Sequence, residues 1–271
     1  MSGPGYAATG TDLIDIDRYP LNDLDSETGR SLVERCQRSL QVKGAAKLDG
    51  FLRPDAIAQL IGEANALASQ AFRNEDTHNV YFTEIDERLP ATDARRKLQR
   101  SAQETIAYDQ IPADAGIRRL YEWDGLLAFV CAALGKDRLY RNADPLGALN
   151  VIYYAEGDEL GWHFDDAEFV VTLMLQPAQH GGDFEYVPHI RNARDENYPA
   201  VAQLLDGDRD DVIVSPSSAG ALAFFRGHHS IHRVTPVFGN ILRTNAVLSY
   251  ANRPDERLSP HTQTLFYGRT G

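Results

Sequence analysis

The sequence predicts a mainly β protein (α+β), a jelly-roll core with helices packed on one side of it. Up to about residue 135, apolar residues recur at helical spacing. Beyond Lys136, about eight short β-rich runs follow, separated by turn residues such as Gly157 and Gly239. Many short strands with turn punctuation are typical of a β-sandwich or jelly roll. Helices first and strands afterwards favour a double-sheet barrel with helices on one side.

Helices dominate the predicted first half of the chain. Ser26 is a suitable N-cap for the first helix, and Pro54 suits the first position of the second. Gly135 is a C-cap residue for the third helix. The predicted helices cover residues 26–40, 54–72 and 117–134, with strands over residues 45–48 and 80–83. Their apolar residues lie on one face, which predicts that this face packs against the β core.

The strands of the second half are predicted from runs rich in β-branched and aromatic residues. They cover residues 139–143, 148–154, 168–176, 183–187, 211–214, 222–225, 231–237 and 242–250. No linker-like stretch divides the chain, so one domain is predicted over residues 25–271. Within it, residues 25–135 supply the helical support and residues 136–271 the jelly-roll core. Residues 1–24 lack periodicity and are predicted to form an irregular N-terminal arm.

Composition restricts the classes of partner. The formal net charge of −12 argues against a nucleic-acid-binding surface and against binding to anionic membranes. No signal peptide is visible, and no apolar stretch approaches the roughly 20 residues that a membrane span needs. Two cysteines are too few for a disulfide framework, which favours a reducing compartment. We therefore expect a cytoplasmic protein. Its charge does not identify a partner, and its oligomeric state, a homodimer included, stays open.

The stretch GWHFDDAEFVVTLMLQP, residues 161–177, opens a strongly apolar run with a histidine and two carboxylates. Acidic residues are depleted in strands, and burying a charge is costly unless it is paired or binds a metal. Residues i and i+2 of a strand point to the same face, so His163 and Asp165 can chelate one ion from the same side. This spacing predicts a metal site.

A third ligand is needed, and three histidines, His228, His229 and His232, are candidates. His228 and His229 directly follow Gly227 in a turn-like position. His232 shares a strand face with Val234, which places it in an inward-looking set. We therefore favour His232. Two histidines and one carboxylate on one face of a metal leave three positions open, as in non-haem iron(II) oxygenases.

Arg243 lies on the next predicted strand, eleven residues after His232. An inward guanidinium would be costly without an anionic partner, and arginine offers a planar fork that suits a carboxylate. A dicarboxylate co-substrate that chelates iron at one end and meets Arg243 at the other accounts for both features.

Two stretches carry a family resemblance: YAEGDELGWHFD (residues 154–165) and HRVTPVFGNILRTN (residues 232–245). They resemble the signatures Y-x-x-G-x-x-x-x-x-H-x-D and H-x-V-x-P-V-x-G of iron(II)/2-oxoglutarate-dependent oxygenases. The matching residues are Tyr154, Gly157, His163, Asp165, His232, Val234, Pro236, Val237, Gly239 and Arg243.

The resemblance implies a double-stranded β-helix and the use of iron(II), 2-oxoglutarate and O2. It implies that His163, Asp165 and His232 hold the iron and that Arg243 binds the far carboxylate of 2-oxoglutarate. Tyr154 belongs to the matched signature and is predicted to line the co-substrate site. Asn150 is a further candidate for the co-substrate, although a structural polar residue of the core explains it equally well.

More narrowly, the stretches ADPLGALNV, GWHFDDAEFVVTLMLQ and GGDFEYVPHIR are similar to the group of free-amino-acid halogenases and their hydroxylating relatives. The halogenases that this chain resembles carry glycine at the position of Asp165, which vacates a coordination site for chloride. Because the carboxylate is present here, the resemblance implies hydroxylation of an unactivated C–H bond.

Three residues are candidates for substrate binding. Asp166 directly follows the ligand pair, Asp144 precedes Pro145 at a predicted strand end, and both could pair with a substrate amine. Solvated turn carboxylates are the alternative for both. Trp162 is a candidate for a substrate cage, and packing in the core or at the rim is its alternative.

Three functions compete. The first is a dioxygenase that hydroxylates a small molecule, either a free amino acid or a metabolite derived from one. The second is a prolyl-hydroxylase-like enzyme acting on a protein or peptide, which shares both signatures. The third is a non-catalytic jelly-roll binding protein. The presence of all three predicted ligands together with Arg243 argues against the third.

Overall fold

The computed structural model describes residues 10–271, so the first nine residues of the predicted arm lie outside the described residues. The helices of the described part all pack on or beside a large β sheet. They are α1 Glu27–Lys43, α2 Pro54–Leu67, α3 Gly116–Glu122, α4 Asp124–Ala133, α5 Tyr198–Leu205 and α6 Pro260–Tyr267. None of these helices is long and apolar enough to cross a membrane.

The strands pair antiparallel throughout the described residues. They are β1 Ala45–Leu48, β2 Phe72–Asn79, β3 Leu98–Ile106, β4 Tyr140–Arg141, β5 Leu149–Tyr154, β6 Glu159–His163, β7 Val170–Gln176, β8 His180–Gly181, β9 Phe184–Val187, β10 Ile213–Ser215, β11 Leu222–Phe225, β12 Ile231–Val234, β13 Val237–Phe238, β14 Arg243–Leu248 and β15 Tyr250–Ala251. The main sheet has the order β1-β11-β7-β14-β5-β3-β6-β12-β9-β10, with β2 attached to β3. It curls into a half-barrel, which confirms the predicted fold class.

The convex face of the sheet packs against the helices. Alternate residues of β7 and β14, such as Val171, Leu173 and Leu248, are fully buried in one cluster with residues of α1–α4. Burial of each such side chain contributes about 2 kcal/mol. The intervening residues of the same strands point into the half-barrel, where the polar residues of the candidate site lie.

The predicted helix over residues 26–40 is confirmed as α1, and the strand over residues 45–48 is confirmed as β1. The predicted helix over residues 54–72 is confirmed as α2 only as far as Leu67, because a 3-10 turn follows it and β2 begins at Phe72. The third predicted helix is interrupted at Trp123, whose backbone is extended (φ −73°, ψ 125°). The Trp123 indole folds back over Gly125, where a Cβ atom would come within 2.1 Å of the ring. The segment therefore forms two short helices, α3 and α4.

The predicted strand over residues 80–83 is wrong, because β2 ends at Asn79 and a turn follows it. No strand was predicted over β2, β3, β6 or β8. The sequence of β3, LQRSAQETI, is too polar to read as a strand, since one of its faces points into the polar interior of the half-barrel. Because β1, β2 and β3 join the main sheet, the predicted division into helices before residue 135 and strands after it is not sharp.

The described part of the predicted arm, residues 10–24, is irregular apart from one short 3-10 turn at Gly10–Leu13. It is nevertheless well packed: Leu13, Ile14 and Leu21 are buried in the same cluster as the helices and the sheet. This part of the arm therefore contributes to the core.

Candidate metal centre

The centre begins with two strands that place two imidazoles on one face. His163 on β6 and His232 on β12 are directly opposite each other in the antiparallel register. Paired residues of antiparallel strands share a face, so both rings point into the half-barrel. Asp165 follows β6, and its Oδ1 lies 3.6 Å from His163 Nε2 and 3.5 Å from His232 Nε2. One ligand atom from each of the three residues lies within 4.8 Å of the other two.

Backbone carbonyls fix the orientation of both rings. His163 Nδ1 donates a hydrogen bond to the Gly161 carbonyl (2.8 Å), and His232 Nδ1 donates to the Ser230 carbonyl (3.1 Å). A carbonyl oxygen can only accept, so the proton of each neutral ring is on Nδ1. The lone pair of each Nε2 is thereby directed toward the centre, as in metal sites where an outer hydrogen bond sets the tautomer.

The charge state of the centre suits a cation. Burial lowers the pKa of His163, and the neighbouring His232 lowers it further, which keeps the imidazole neutral. Burial acts to raise the pKa of Asp165, but the two histidines outweigh it and hold the pKa below its usual range. Asp165 Oδ2 is buried without a hydrogen-bond partner. Asp165 Oδ1, which lies beside the Nε2 atoms of both imidazoles, completes a donor set that fits iron(II).

The other two candidate histidines stand outside this arrangement. His228 Nδ1 donates to the backbone carbonyl of Asp165 at 3.1 Å, and the His229 ring packs edge-on against His228. His228 therefore supports the loop that carries the carboxylate. Of the three candidates, the structure brings only His232 together with His163 and Asp165.

Arg243, the first residue of β14, is buried in the interior of the half-barrel with 4% of its surface exposed. Its Nε donates to the Gly182 carbonyl (2.9 Å), and its guanidinium carbon lies 5.1 Å from the centre of the Tyr154 ring. Burial lowers its pKa from the usual value. Within residues 10–271 no carboxylate forms an ion pair with it, so the guanidinium can accept an anionic ligand.

Tyr154 pairs with Arg243 across the ladder of β5 and β14. Its hydroxyl donates to Gln103 Oε1 at 2.7 Å, and burial raises its pKa to about 12, so it stays protonated. Gln103, on the unpredicted strand β3, is a buried polar residue of the site that sequence reasoning missed. Six of the seven residues over 99–105 are polar, so no alternation in the sequence marks Gln103 as an inward-facing residue.

With this geometry established, comparisons with known proteins decide the family. The family model described as Halogenase D matches residues 28–265. The chain belongs to the Halogenase D family. It is thus a non-haem enzyme of the iron(II)/2-oxoglutarate oxygenase type, with iron, 2-oxoglutarate and O2 as cofactor and co-substrates. A search of curated proteins found no match.

Solved structures share the fold. An oxidoreductase of the 2OG-Fe(II) oxygenase family from Burkholderia pseudomallei is 16% identical (TM-score 0.54) and covers 83% of this chain and 92% of its own. The α-ketoglutarate-dependent epimerase SnoN from nogalamycin biosynthesis is 15% identical (TM-score 0.55; 82% and 83% covered). A prolyl-4-hydroxylase from Pseudomonas putida is 15% identical (TM-score 0.50; 80% and 97% covered). At these identities the similarity shows the jelly-roll fold alone.

A series of hydrogen bonds between polar groups supports the imidazole of His163 on the side away from the centre. His78 Nδ1 donates to the Asn79 carbonyl (3.0 Å), so its Nε2 accepts from Ser101 Oγ (2.7 Å). Ser101 Oγ in turn accepts from the Gly161 amide (3.1 Å), whose carbonyl accepts the His163 proton. The spacing of these residues in the sequence carried no signal for this chain of hydrogen bonds, because β2 and β3 were not predicted.

An aromatic residue that sequence reasoning missed borders the same imidazole. The Phe82 ring stacks on His78 with centroids 4.2 Å apart and lies edge-on to His163 at 5.7 Å. Its backbone is left-handed (φ 53°), and Asn79 holds the turn by donating from Nδ2 to the Thr83 carbonyl at 2.8 Å. The side chain is 43% exposed. Phe82 therefore presents an apolar surface to solvent beside a candidate ligand.

Asn150 is buried, and the side-chain contacts that the structure shows are all within the fold. Its Nδ2 donates to the Leu146 carbonyl at 2.8 Å, and its Oδ1 accepts from the Tyr267 hydroxyl at 3.0 Å. These contacts favour the structural alternative over contact with the co-substrate.

Asp144 is 1% exposed, and the prediction that it pairs with a substrate amine is wrong. Its Oδ1 accepts from the amides of Leu146 (2.9 Å) and Gly147 (2.7 Å). Its Oδ2 accepts from the Leu258 amide (3.0 Å) and from Gln263 Nε2 (2.7 Å). Four donors occupy both oxygens, so this carboxylate organises a loop and the C-terminal helix α6.

Trp162 points away from the centre because it alternates with His163 along β6. It is buried in a second cluster with Phe164, on the outer side of the strand. The guanidinium carbons of Arg233 and Arg209 lie 4.8 Å and 5.6 Å from the centre of its ring. The predicted substrate cage is therefore wrong at Trp162, and the packing alternative holds.

Asp166 is exposed and forms no ion pair with any residue of the described chain. It directly follows Asp165, so its backbone lies at the edge of the candidate centre. Phe184, on β9, packs against His232 with ring centroids 5.6 Å apart. These two residues stand at or beside the centre, one acidic and exposed, the other aromatic and half-buried.

Proposed function

We propose that this protein hydroxylates an unactivated C–H bond of a small molecule, a free amino acid or a metabolite derived from one. The observation that carries the proposal is the convergence of the Asp165 carboxylate with His163 and His232. In this proposal the three side chains hold iron(II) on one face. Iron with 2-oxoglutarate and O2 supplies the oxidation of the C–H bond, with succinate and carbon dioxide as by-products.

Arg243 and Tyr154 form the proposed binding site of the co-substrate. Arg243 is the buried cation of the half-barrel interior that lacks an acidic partner in residues 10–271, which fits the distal carboxylate of 2-oxoglutarate. The Gly182 carbonyl holds Nε, so the two terminal nitrogens are left to bind a carboxylate. The protonated Tyr154 hydroxyl is engaged by Gln103, which keeps its ring in place beneath the guanidinium.

The presence of Asp165 favours hydroxylation over halogenation, even though the family takes its name from halogenases. Three protein ligands on one face of an octahedral ion leave three positions. Bound 2-oxoglutarate and O2 would together need all three of these positions. No position is then left for a halide. With Oδ1 held 3.5–3.6 Å from both imidazole Nε2 atoms, the Asp165 carboxylate would fill the metal position that a halide needs.

An amino-acid substrate is supported by the residues at the edge of the centre. The exposed carboxylate of Asp166 can pair with an ammonium group, and the apolar face of Phe82 can contact the aliphatic part of a substrate. An ammonium group and an aliphatic part are both present in a free amino acid, so these two residues support that class of substrate.

Two measurements test this function. Anaerobic addition of iron(II) and then 2-oxoglutarate should produce the weak visible charge-transfer band of the bound pair. Its absence would support the non-catalytic alternative. The aerobic protein is then incubated with single free amino acids and with proline-containing peptides, and products are analysed by mass spectrometry. We expect the addition of one oxygen atom to a free amino acid. Oxidation of the peptides alone would support the prolyl-hydroxylase-like alternative instead.

A further inference from the structure

Gly227 lies two residues beyond β11, in the turn that leads to β12, and packs directly on Asp165. A Cβ atom placed on Gly227 would meet Asp165 Oδ2 at 1.6 Å, Cγ at 2.5 Å and Cβ at 3.0 Å. These are the three nearest atoms, and all belong to Asp165. Real Cβ atoms do not approach other atoms this closely, so any side chain at position 227 would have to displace the carboxylate.

Backbone conformation does not explain this glycine. Gly227 is not among the residues with a positive φ angle, so residues with a side chain could adopt the same backbone. The space taken by the Asp165 carboxylate is the remaining reason for the absence of a side chain. Asp165 Oδ2, the oxygen that an added Cβ atom would meet first, is buried and has no hydrogen-bond partner.

Two hydrogen bonds tie the backbone of Asp165 to the turn that carries Gly227. Its amide donates to the Gly227 carbonyl at 3.2 Å, and its carbonyl accepts from His228 Nδ1 at 3.1 Å. Both contacts come from the same turn. A substituent at position 227 would therefore act on the Asp165 side chain, which would rotate away from the imidazoles of His163 and His232.

We infer that Gly227 is a positioning residue for the carboxylate ligand. Because Gly227 has no side chain, the Asp165 carboxylate can pack against its Cα atom and stay oriented toward the metal. The inference rests on the proposed function in one respect, that Asp165 binds the metal. It adds that the residue at position 227 decides whether a carboxylate at position 165 can do so.

The experiment is a cycle of four proteins: wild type, Gly227→Ala, Asp165→Gly and the double variant. Binding of Co(II), used alone as an air-stable probe, is measured by titration. Loss of an outer-sphere positioning contact weakens metal binding by about 10- to 100-fold. We therefore expect Gly227→Ala to raise the Kd for Co(II) at least about tenfold. In the Asp165→Gly background the same substitution should change the Kd less than about twofold, because the clashing carboxylate is gone.

Gly62→Ala is the matched control. Gly62 lies within α2, and a Cβ added there meets nothing within 4 Å. Its Kd for Co(II) should equal that of the wild type. A wild-type Kd for Gly227→Ala would overturn the inference, and so would an equal weakening in both backgrounds, since that would indicate a general disturbance of the turn.

Failure of the proposed function has a different signature. If Asp165→Gly alone binds Co(II) as the wild type does, Asp165 is not a ligand. The packing contact between Gly227 and Asp165 is then tested by thermal unfolding of the metal-free proteins. Gly227→Ala should lower Tm only when Asp165 is present. If Gly227→Ala does not fold, the double variant should fold, and failure of both proteins to fold contradicts the inference.

Discussion

His163 and His232 face each other across the ladder of β6 and β12, their imidazole centroids 4.1 Å apart, and both direct Nε2 toward the same oxygen of Asp165. The two strands belong to distant parts of the sequence, but one hydrogen-bonded register holds both rings. The donor set is therefore preformed by the sheet. A site of this kind requires little rearrangement to bind a metal.

Removal of one ring should abolish metal binding without unfolding the protein. We expect His232→Ala to lose both the charge-transfer band with iron(II) and 2-oxoglutarate and the formation of succinate. Its near-UV circular dichroism should stay that of the wild type. His229→Ala is the control, because His229 packs on His228 outside the centre. The choice of His232 is wrong if His232→Ala remains active and His229→Ala is inactive.

The two terminal nitrogens of the Arg243 guanidinium should determine the affinity for 2-oxoglutarate. Arg243→Lys keeps the charge but loses the second donor to the carboxylate, so binding should weaken by about 2 kcal/mol, or about thirtyfold. The measurement is the concentration of 2-oxoglutarate that half-saturates the charge-transfer band. Arg53→Lys is the control, since Arg53 pairs with Asp55 at the surface. An unchanged constant in Arg243→Leu would remove the arginine from the site.

Chloride should not change the product of the wild-type enzyme. With the Asp165 carboxylate in place, we expect hydroxylated product only, even in concentrated chloride, as read by mass spectrometry. Asp165→Gly opens one position, and we expect it mainly to lose activity, with trace chlorination as the sign that the opened position faces the substrate. A chlorinated product from the unmodified protein would show that Asp165 does not occupy that position during turnover.

Asp144 should affect stability and leave the chemistry unchanged. Asp144→Ala removes the acceptors of four buried or half-buried donors, and we expect a loss of about 3 kcal/mol in the free energy of unfolding, measured in urea. Below its unfolding temperature the variant should bind iron(II) and 2-oxoglutarate as the wild type does. Asp55→Ala, at an exposed position, should unfold as the wild type does. A stable Asp144→Ala with weakened substrate binding would restore the substrate-binding role for this residue.

The sequence by itself determined which residues converge at the centre. His163 and Asp165 are two positions apart at the end of a strand, and His232 lies on an inward face, so strand alternation alone predicts one shared side. The inward position of Arg243 was implied by the family resemblance. The main sheet was predicted where its strands are apolar, because a strand covered by helices needs apolar residues on the covered face.

Only the tertiary structure decided the surroundings of the centre. Strand β3 is too polar to be predicted alone, yet it supplies Gln103 and Ser101 because its pairing with β5 and β6 turns its polar face inward. Asp144 resembled a free turn carboxylate until Leu258 and Gln263, more than 110 residues away, were seen to bind it. The contact between Gly227 and Asp165 likewise joins two segments that are far apart in the sequence. Spacing along a strand predicts the face of a residue, whereas burial and hydrogen-bond partners come from distant parts of the chain that only folding brings together.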